Sequence, residues 1–232
     1  MRLHLLRLGT IAGLDAPVPG YLVRADDGTN LLVDTGPPVD APDPAGVLTV
    51  APHERVDRVL DGLGLRPADI HVVVCTHLDP DHAGNHALFP DAEFVVQRRH
   101  HEAALAGRID RIARTRPRWD VPGARYRLVD GDTTLLPGVE LVETSGHVPG
   151  HQSVLVRLPG DGPVLLAGDA IPMGIAADPQ ERPILPFDLH EEDTRRSTAR
   201  LVALAGAEGA LLVFGHDPVQ WPALRTGTAG YR

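Results

Sequence analysis

The segment from His71 to His86 reads HVVVCTHLDPDHAGNH, and within it His77, Asp79, Asp81 and His82 bring two imidazoles and two carboxylates into six positions. Imidazole and carboxylate are natural ligands for zinc, iron or manganese, and a catalytic site of that kind keeps an open position for water. The placement suits the chemistry. Val72 to Cys75 is an apolar run that reads as a strand, and Pro80 stiffens the turn after it. The polar groups therefore fall where a rigid element ends and side chains can converge.

Three distant segments repeat the pattern. ETSGHVPGH sets His147 at a strand end between glycines that permit tight turns and close backbone approach, LLAGDA does the same with Asp169, and LVFGHD with His216. A carboxylate directly after an apolar run is costly to bury unpaired, so a metal ion or other cation is the economical partner for Asp169.

The elements that must position these groups are legible from alternation and turn signals. Strands are expected at Arg2 to Leu8, Gly20 to Arg24, Asn30 to Asp34, His71 to Cys75 and Glu93 to Val96, the second and third joined by the Asp26-Asp27-Gly28 turn. More follow at Arg125 to Val129, Thr133 to Leu136, Val139 to Thr144, Ser153 to Leu158, Val164 to Ala167 and Ala210 to Phe214. Helical spacing marks Arg55 to Leu63, Asn85 to Phe89, Arg98 to Ala106 and Glu191 to Ala205. Ile109 to Val121 has no clear assignment, and its basic run Arg111 to Arg118 reads as a solvated face, or else an anion-recognition patch. Pro37 to Pro52 and Ile171 to Leu189 are Pro-rich excursions fit to wall a pocket. Met173, Ile175, Ile184, Leu185 and Phe187 give the second an apolar character that suits either packing or a greasy substrate. Two strand-rich halves, each with helices, predict an α+β fold, a four-layer αββα sandwich formed by one domain over residues 1–232.

The set His77, Asp79, Asp81, His82, His147, Asp169 and His216 resembles the dinuclear metal site of the metallo-β-lactamase superfamily. VPGYLVRADDGTNLLVDTG, THLDPDHAGNH, VVQRRHHEAAL, TSGHVPGHQS, LLAGDA and FGHDP are similar more narrowly to its N-acyl-homoserine lactonase branch. The resemblance implies two divalent ions, zinc first and iron or manganese as alternatives. One would take His77, Asp79 and His147, the other Asp81, His82 and His216, with Asp169 as the bridge. It implies hydrolysis of a lactone, ester or thioester by a metal-activated water, with Asp81 as the catalytic residue that orients the nucleophile or carries a proton to the leaving oxygen. It also makes Asp34 the acid that holds a ligand histidine by its other nitrogen.

Two positions depart from the family. Asp79 stands where a histidine is usual, so it either serves as a harder, anionic ligand or binds through water or not at all, leaving one position weak. Pro172 stands where lactonases carry a tyrosine that assists the carbonyl. Carboxylate in place of that histidine also occurs in the flavo-diiron branch, which keeps a diiron redox protein as an alternative, although the chain has no flavin domain of its own. A ligand-binding member without turnover is the other alternative.

Composition bounds the partners. A net charge of −9 over 232 residues disfavours nucleic acid and anionic membrane, and a small-molecule substrate is what the resemblance implies. No run approaches the roughly 18 apolar residues of a membrane span or forms a signal segment, so a soluble cytoplasmic protein is expected. The single cysteine, Cys75, excludes an intramolecular disulfide and reads as a buried small hydrophobe. Of the remaining histidines, His151 is expected to pack beneath His147, and His86, His100 and His101 to be solvated or structural. His4, His53 and His71 show no partner, and His190 follows the second excursion closely enough to reach the pocket.

Overall fold

The computed structural model describes residues 1–41, 43 and 45–232, so Pro42 and Pro44 of the first excursion lie outside the described residues. In chain order the strands are β1 Arg2–Ile11, β2 Ala16–Arg24, β3 Asn30–Val33, β4 Leu48–Thr49, β5 Val72–Val74, β6 Glu93–Gln97 and β7 Arg125–Val129. They continue with β8 Thr133–Leu136, β9 Val139–Glu143, β10 Gln152–Leu158, β11 Gly162–Leu166 and β12 Leu211–Val213. The helices are α1 Val56–Asp61, α2 Arg98–Leu105, α3 Asp110–Arg114, α4 Arg116–Trp119 and α5 Glu191–Glu208.

The strands form a seven-stranded sheet in the order β4-β1-β2-β3-β5-β6-β7 and a five-stranded sheet in the order β12-β11-β10-β9-β8. Side chains alternate across each strand, and both faces of each sheet are covered. In β3, Leu31 and Val33 face the other sheet, where they join Val139, Leu141, Val154 and Leu166. Leu32 points outward to a second core with Val56 and Leu60 of α1, Ala104 of α2, Ile112 of α3 and Trp119 of α4. On the far side, Leu155 and Leu165 pack against Leu201 and Ala205 of α5. The result is the four-layer αββα sandwich expected from the order of elements.

Several boundaries differ from the sequence expectation. Asn85 to Phe89 makes only a 3-10 turn at His86–Leu88, and α5 runs on to Glu208 before Gly209 takes the left-handed conformation that ends it. The unassigned basic segment folds into α3 and α4 because Ile112 and Trp119 supply a buried face. Arg114 and Arg116 are exposed as expected of a solvated face, whereas Arg111 turns inward. The described part of the first excursion includes β4, which pairs with Thr10 and Ile11 of β1. No helix among the described residues is long and apolar enough to cross a membrane.

Candidate metal centre

The strands that carry the site run parallel where it matters. β3 pairs with β5, and β11 with β12, in parallel register. Their carboxyl ends therefore open toward one edge of the sandwich, the usual place for chemistry in such sheets. Asp34 follows β3, the His77-to-His82 loop follows β5, Asp169 follows β11 and His216 follows β12, while His147 lies on the turn between β9 and β10. Gly146 makes that last turn possible. Its φ is 143°, and a Cβ there would come within 2.4 Å of the Thr194 backbone nitrogen.

Two groups of donor atoms converge: His77, His147 and Asp169 in the first, and Asp81, His82 and His216 in the second. Asp169 touches both. Its Oδ1 lies 3.0 Å from His216 Nε2 and 3.4 Å from His82 Nε2, and its Oδ2 lies 3.5 Å from His147 Nε2. Asp81 completes the second group at 3.5 Å from His82 and 3.7 Å from His216. Asp79 stands beside the first, its Oδ2 3.4 Å from His77 Nε2 and 3.1 Å from His147 Nε2. Donors on one tetrahedral ion with bonds of roughly 2.0–2.1 Å lie about 3.4 Å apart, so these spacings are those of ligands around a shared cation. His77 Nε2 and His82 Nε2, one in each group, are buried with no hydrogen-bond partner, a costly state that a metal ion relieves. The residues present fit two metal ions.

The electrostatics agree. Burial works against charge on His82, yet Asp81, Asp169 and Asp34 together hold its imidazole well above its ordinary range. Burial likewise opposes ionisation of Asp169, but His216, His82 and His147 keep it a carboxylate, well below the usual range. Three acids and four imidazoles in one buried space make a trap for positive charge.

The groups behind the donors fix their tautomers. Asp34 adopts a φ of 59° at the end of β3, unusual for a residue with a side chain. Its carboxylate accepts the Thr76 backbone N–H at 2.8 Å, the Thr76 hydroxyl at 2.7 Å and His82 Nδ1–H at 2.8 Å. Because the Thr76 hydroxyl donates to Asp34, its oxygen is left to accept His77 Nδ1–H at 3.0 Å. One acid thus aims the Nε2 atoms of two imidazoles into the site. His216 Nδ1–H donates to the Pro17 carbonyl at 2.9 Å.

Other partners were not foreseen. His147 Nδ1 lies 3.4 Å from Asp188, whose other oxygen is 3.3 Å from the guanidinium of Arg182. The side chains of Arg182 and Asp188 are both buried beneath the second excursion. His100, read as solvated or structural, is fully buried and ties two loops together: it accepts the Leu78 N–H at 2.9 Å and donates to the Pro149 carbonyl at 2.9 Å. His151 does brace the centre, accepting the Asp169 N–H at 3.1 Å while its other nitrogen meets Thr144 at 2.8 Å. His190 does not reach the pocket. It caps the N-terminus of α5, accepting the Asp193 N–H at 3.3 Å. The inward turn of Arg111 ends on Asp79, with Nε at 2.8 and 2.7 Å from the two carboxylate oxygens. Nothing in the local pattern of these residues signals such partners. The Asp79–Arg111 and His147–Asp188 pairings join side chains 32 and 41 positions apart in the chain.

Above the donors opens a cavity of about 350 Å³. Asp79, Asp81, Arg111, His147, Asp169 and His216 form its floor. Ile11, Leu14, Val47, Leu48, Pro172, Met173, Leu185 and Phe187 supply its apolar walls, which both excursions help to build. Ile175 and Ile184 take no part in the lining, and Ile175 is exposed.

Comparison with known proteins places this geometry. The chain matches the family model of the metallo-beta-lactamase superfamily over residues 15–216, a span that contains every donor described above. It is 37% identical to an N-acyl homoserine lactonase of Azorhizobium caulinodans, over 96% of this chain and 90% of that one. It is 33% identical to an N-acyl homoserine lactonase of a Bacillus species, over 88% and 82%. Among solved structures, an N-acyl homoserine lactone hydrolase with N-hexanoyl-L-homoserine bound at its catalytic metal center superposes with a TM-score of 0.88 at 27% identity, covering 99% of this chain and 98% of that one. The donor set, the sandwich that carries it and these similarities converge on one statement: the chain belongs to the metallo-β-lactamase superfamily.

Proposed function

We propose that the protein is a metal-dependent hydrolase that opens lactone rings, and that its substrates are N-acyl-homoserine lactones or close acyl analogues. The observation that carries this reading is a cavity with apolar walls whose floor is a cluster of imidazoles and carboxylates at ligand spacing. Leu14, Val47 and Phe187 are exposed large hydrophobic residues at its mouth, and an acyl chain lying there would cover them. The names of the relatives support the same substrate class.

His77, Asp79 and His147 would hold one divalent ion, Asp81, His82 and His216 a second, and Asp169 both, with zinc the first choice and iron or manganese the alternatives. Bound there, the ions supply Lewis acidity and lower the pKa of water toward neutrality. The residues of the chain do the rest. Asp81 faces the cavity with its carboxylate partly exposed, so it can orient the attacking water and carry a proton to the ring oxygen as it leaves. The apolar walls exclude water from the acyl chain and hold the carbonyl over the floor. Pro172 offers no hydroxyl to that carbonyl.

The test is proton release on addition of N-hexanoyl and N-decanoyl homoserine lactone to protein loaded with zinc, manganese or iron. Ring opening with a lower KM for the longer chain is expected. Turnover of thioesters alone, or oxygen consumption with an iron-loaded protein that leaves lactones intact, would refute the lactonase reading.

A further inference from the structure

Arg111, the second residue of α3, is the one Lys or Arg among the described residues that line the cavity. Its Nε lies within hydrogen-bond distance of both oxygens of Asp79, at 2.8 and 2.7 Å. Its Nη2 is 3.4 Å from His147 Nε2, the atom that also faces Asp79 at 3.1 Å and Asp169 at 3.5 Å. A fixed cation therefore stands against the first donor group and shares its acid. No lysine or arginine lies within ion-pairing distance of Asp81 or Asp169 among the described residues, so the partners of the second group's acids are imidazoles that a metal ion can replace and not a fixed cation.

Two consequences follow from charge alone. The guanidinium cancels the extra negative charge that Asp79 brings to the first position, so the pair is formally neutral. It also repels a divalent ion a few ångströms away, in a buried setting where screening is weak. We infer that Arg111 makes the two metal positions unequal: it is a positioning residue that holds Asp79 and weakens cation binding at the first position, so that the second position fills first. This rests on the reading that the two donor groups hold metal ions.

The experiment is titration of the metal-free full-length chain with cobalt(II), followed by calorimetry and by the visible absorption of the bound ion. The wild-type chain should bind two ions in steps separated by roughly tenfold or more in affinity, given a unit charge this close. Arg111→Met keeps the aliphatic stem and removes the charge. It should tighten the weaker step by roughly tenfold and leave the stronger unchanged, so that the steps merge. Arg111→Lys keeps the charge and should keep the steps apart. Arg111→Met in a His82→Ala background, where the second position is lost, should still tighten the remaining step, which assigns the effect to the first position. The Arg111 side chain is 26% exposed, so its truncation should leave the fold intact, which near-ultraviolet circular dichroism verifies, and Arg111→Gln provides a second neutral variant. Equal steps in the wild-type chain, or a weaker step that is unchanged or loosened further in both neutral variants, overturns the inference while leaving the metal site standing. A wild-type chain that binds no cobalt overturns both.

Discussion

His82 and His216 give their Nδ1–H groups to Asp34 and the Pro17 carbonyl, at 2.8 and 2.9 Å, and both acceptors belong to the seven-stranded sheet or its immediate end. His147, on the other half of the site, looks instead to Asp188 at 3.4 Å, and Asp79 to Arg111. Those partners come from the second excursion and from the short helix α3. One half is anchored on strands whose positions the two sheet cores dictate. The other is anchored on segments that also wall the cavity. Donors of both halves reach the cavity floor, but the groups behind them differ: those behind His82 and His216 stand away from it, whereas those behind His147 and Asp79 adjoin or line it. Leu185 and Phe187 line the cavity only a few positions from Asp188, and Arg111 lines it directly.

The substitution that most severely strains this division is Asp34→Ala, because Asp34 serves both halves: His82 directly and His77 through Thr76. Its loss leaves the Thr76 N–H, the Thr76 hydroxyl and His82 Nδ1–H without their acceptor in a buried place. We expect a stability loss of about 3 kcal/mol or more and a fall in metal affinity of roughly 10- to 100-fold at both positions. Chemical denaturation and metal content after dialysis measure the two effects. Loss confined to the second position would mean that the Thr76 relay does not orient His77.

Asp188→Asn tests the loop-borne half alone. Asp188 and Arg182 form an ion pair whose side chains are 1% and 0% exposed, and removing one charge strands the other. About 3 kcal/mol of stability should go with it. Metal affinity should fall roughly tenfold at the first position and remain unchanged at the second. Calorimetric titration distinguishes this from a purely structural role, in which stability would drop and both affinities would hold.

The same division marks what was legible beforehand. The sandwich and the placement of His77, His147, Asp169 and His216 at strand ends follow from local signals of period and turn chemistry, and the grouping of these residues with Asp81 and His82 in one site is what the family resemblance implied. Arg111 and Asp188 carry no such signal. Arg111 sits in a run of arginines that reads as a solvated face, and its target Asp79 is 32 positions away in the chain. Asp188 lies on an excursion with no period at all, 41 positions from His147. Pairings of surface-type residues across long separations are set by the packing of whole elements, which no local pattern encodes. His100 shows the intermediate case: the helix that carries it was legible, but the face it presents to Leu78 and Pro149 was not.

The smallest effect concerns imidazoles that sit beneath the site without carboxylates around them. His86 is buried against Phe94, with Nδ1 3.0 Å from the Tyr126 hydroxyl and Nε2 3.8 Å from Cys75 Sγ, just before the His77 loop. Burial lowers its pKa from 6.5 to about 3. It stays neutral in the fold while the unfolded chain takes up a proton below pH 6.5, so the unfolded state binds more protons through that window. Stability is therefore unaffected above pH 6.5 and falls as pH drops toward 3, by up to about 1.4 kcal/mol per unit for this group. Imidazoles held neutral by a bound metal would add acid sensitivity by the same linkage, so the share that belongs to a brace such as His86 is isolated by comparing variants at that one position. His86→Gln, which keeps a polar partner for Tyr126, should reduce the stability lost between pH 7 and pH 5 by roughly 2 kcal/mol, read from denaturant midpoints at the two pH values. An unchanged difference would mean that His86 takes up its proton without unfolding the protein. The contrast between braces kept neutral by burial and ligands surrounded by acids would then fail at its simplest point.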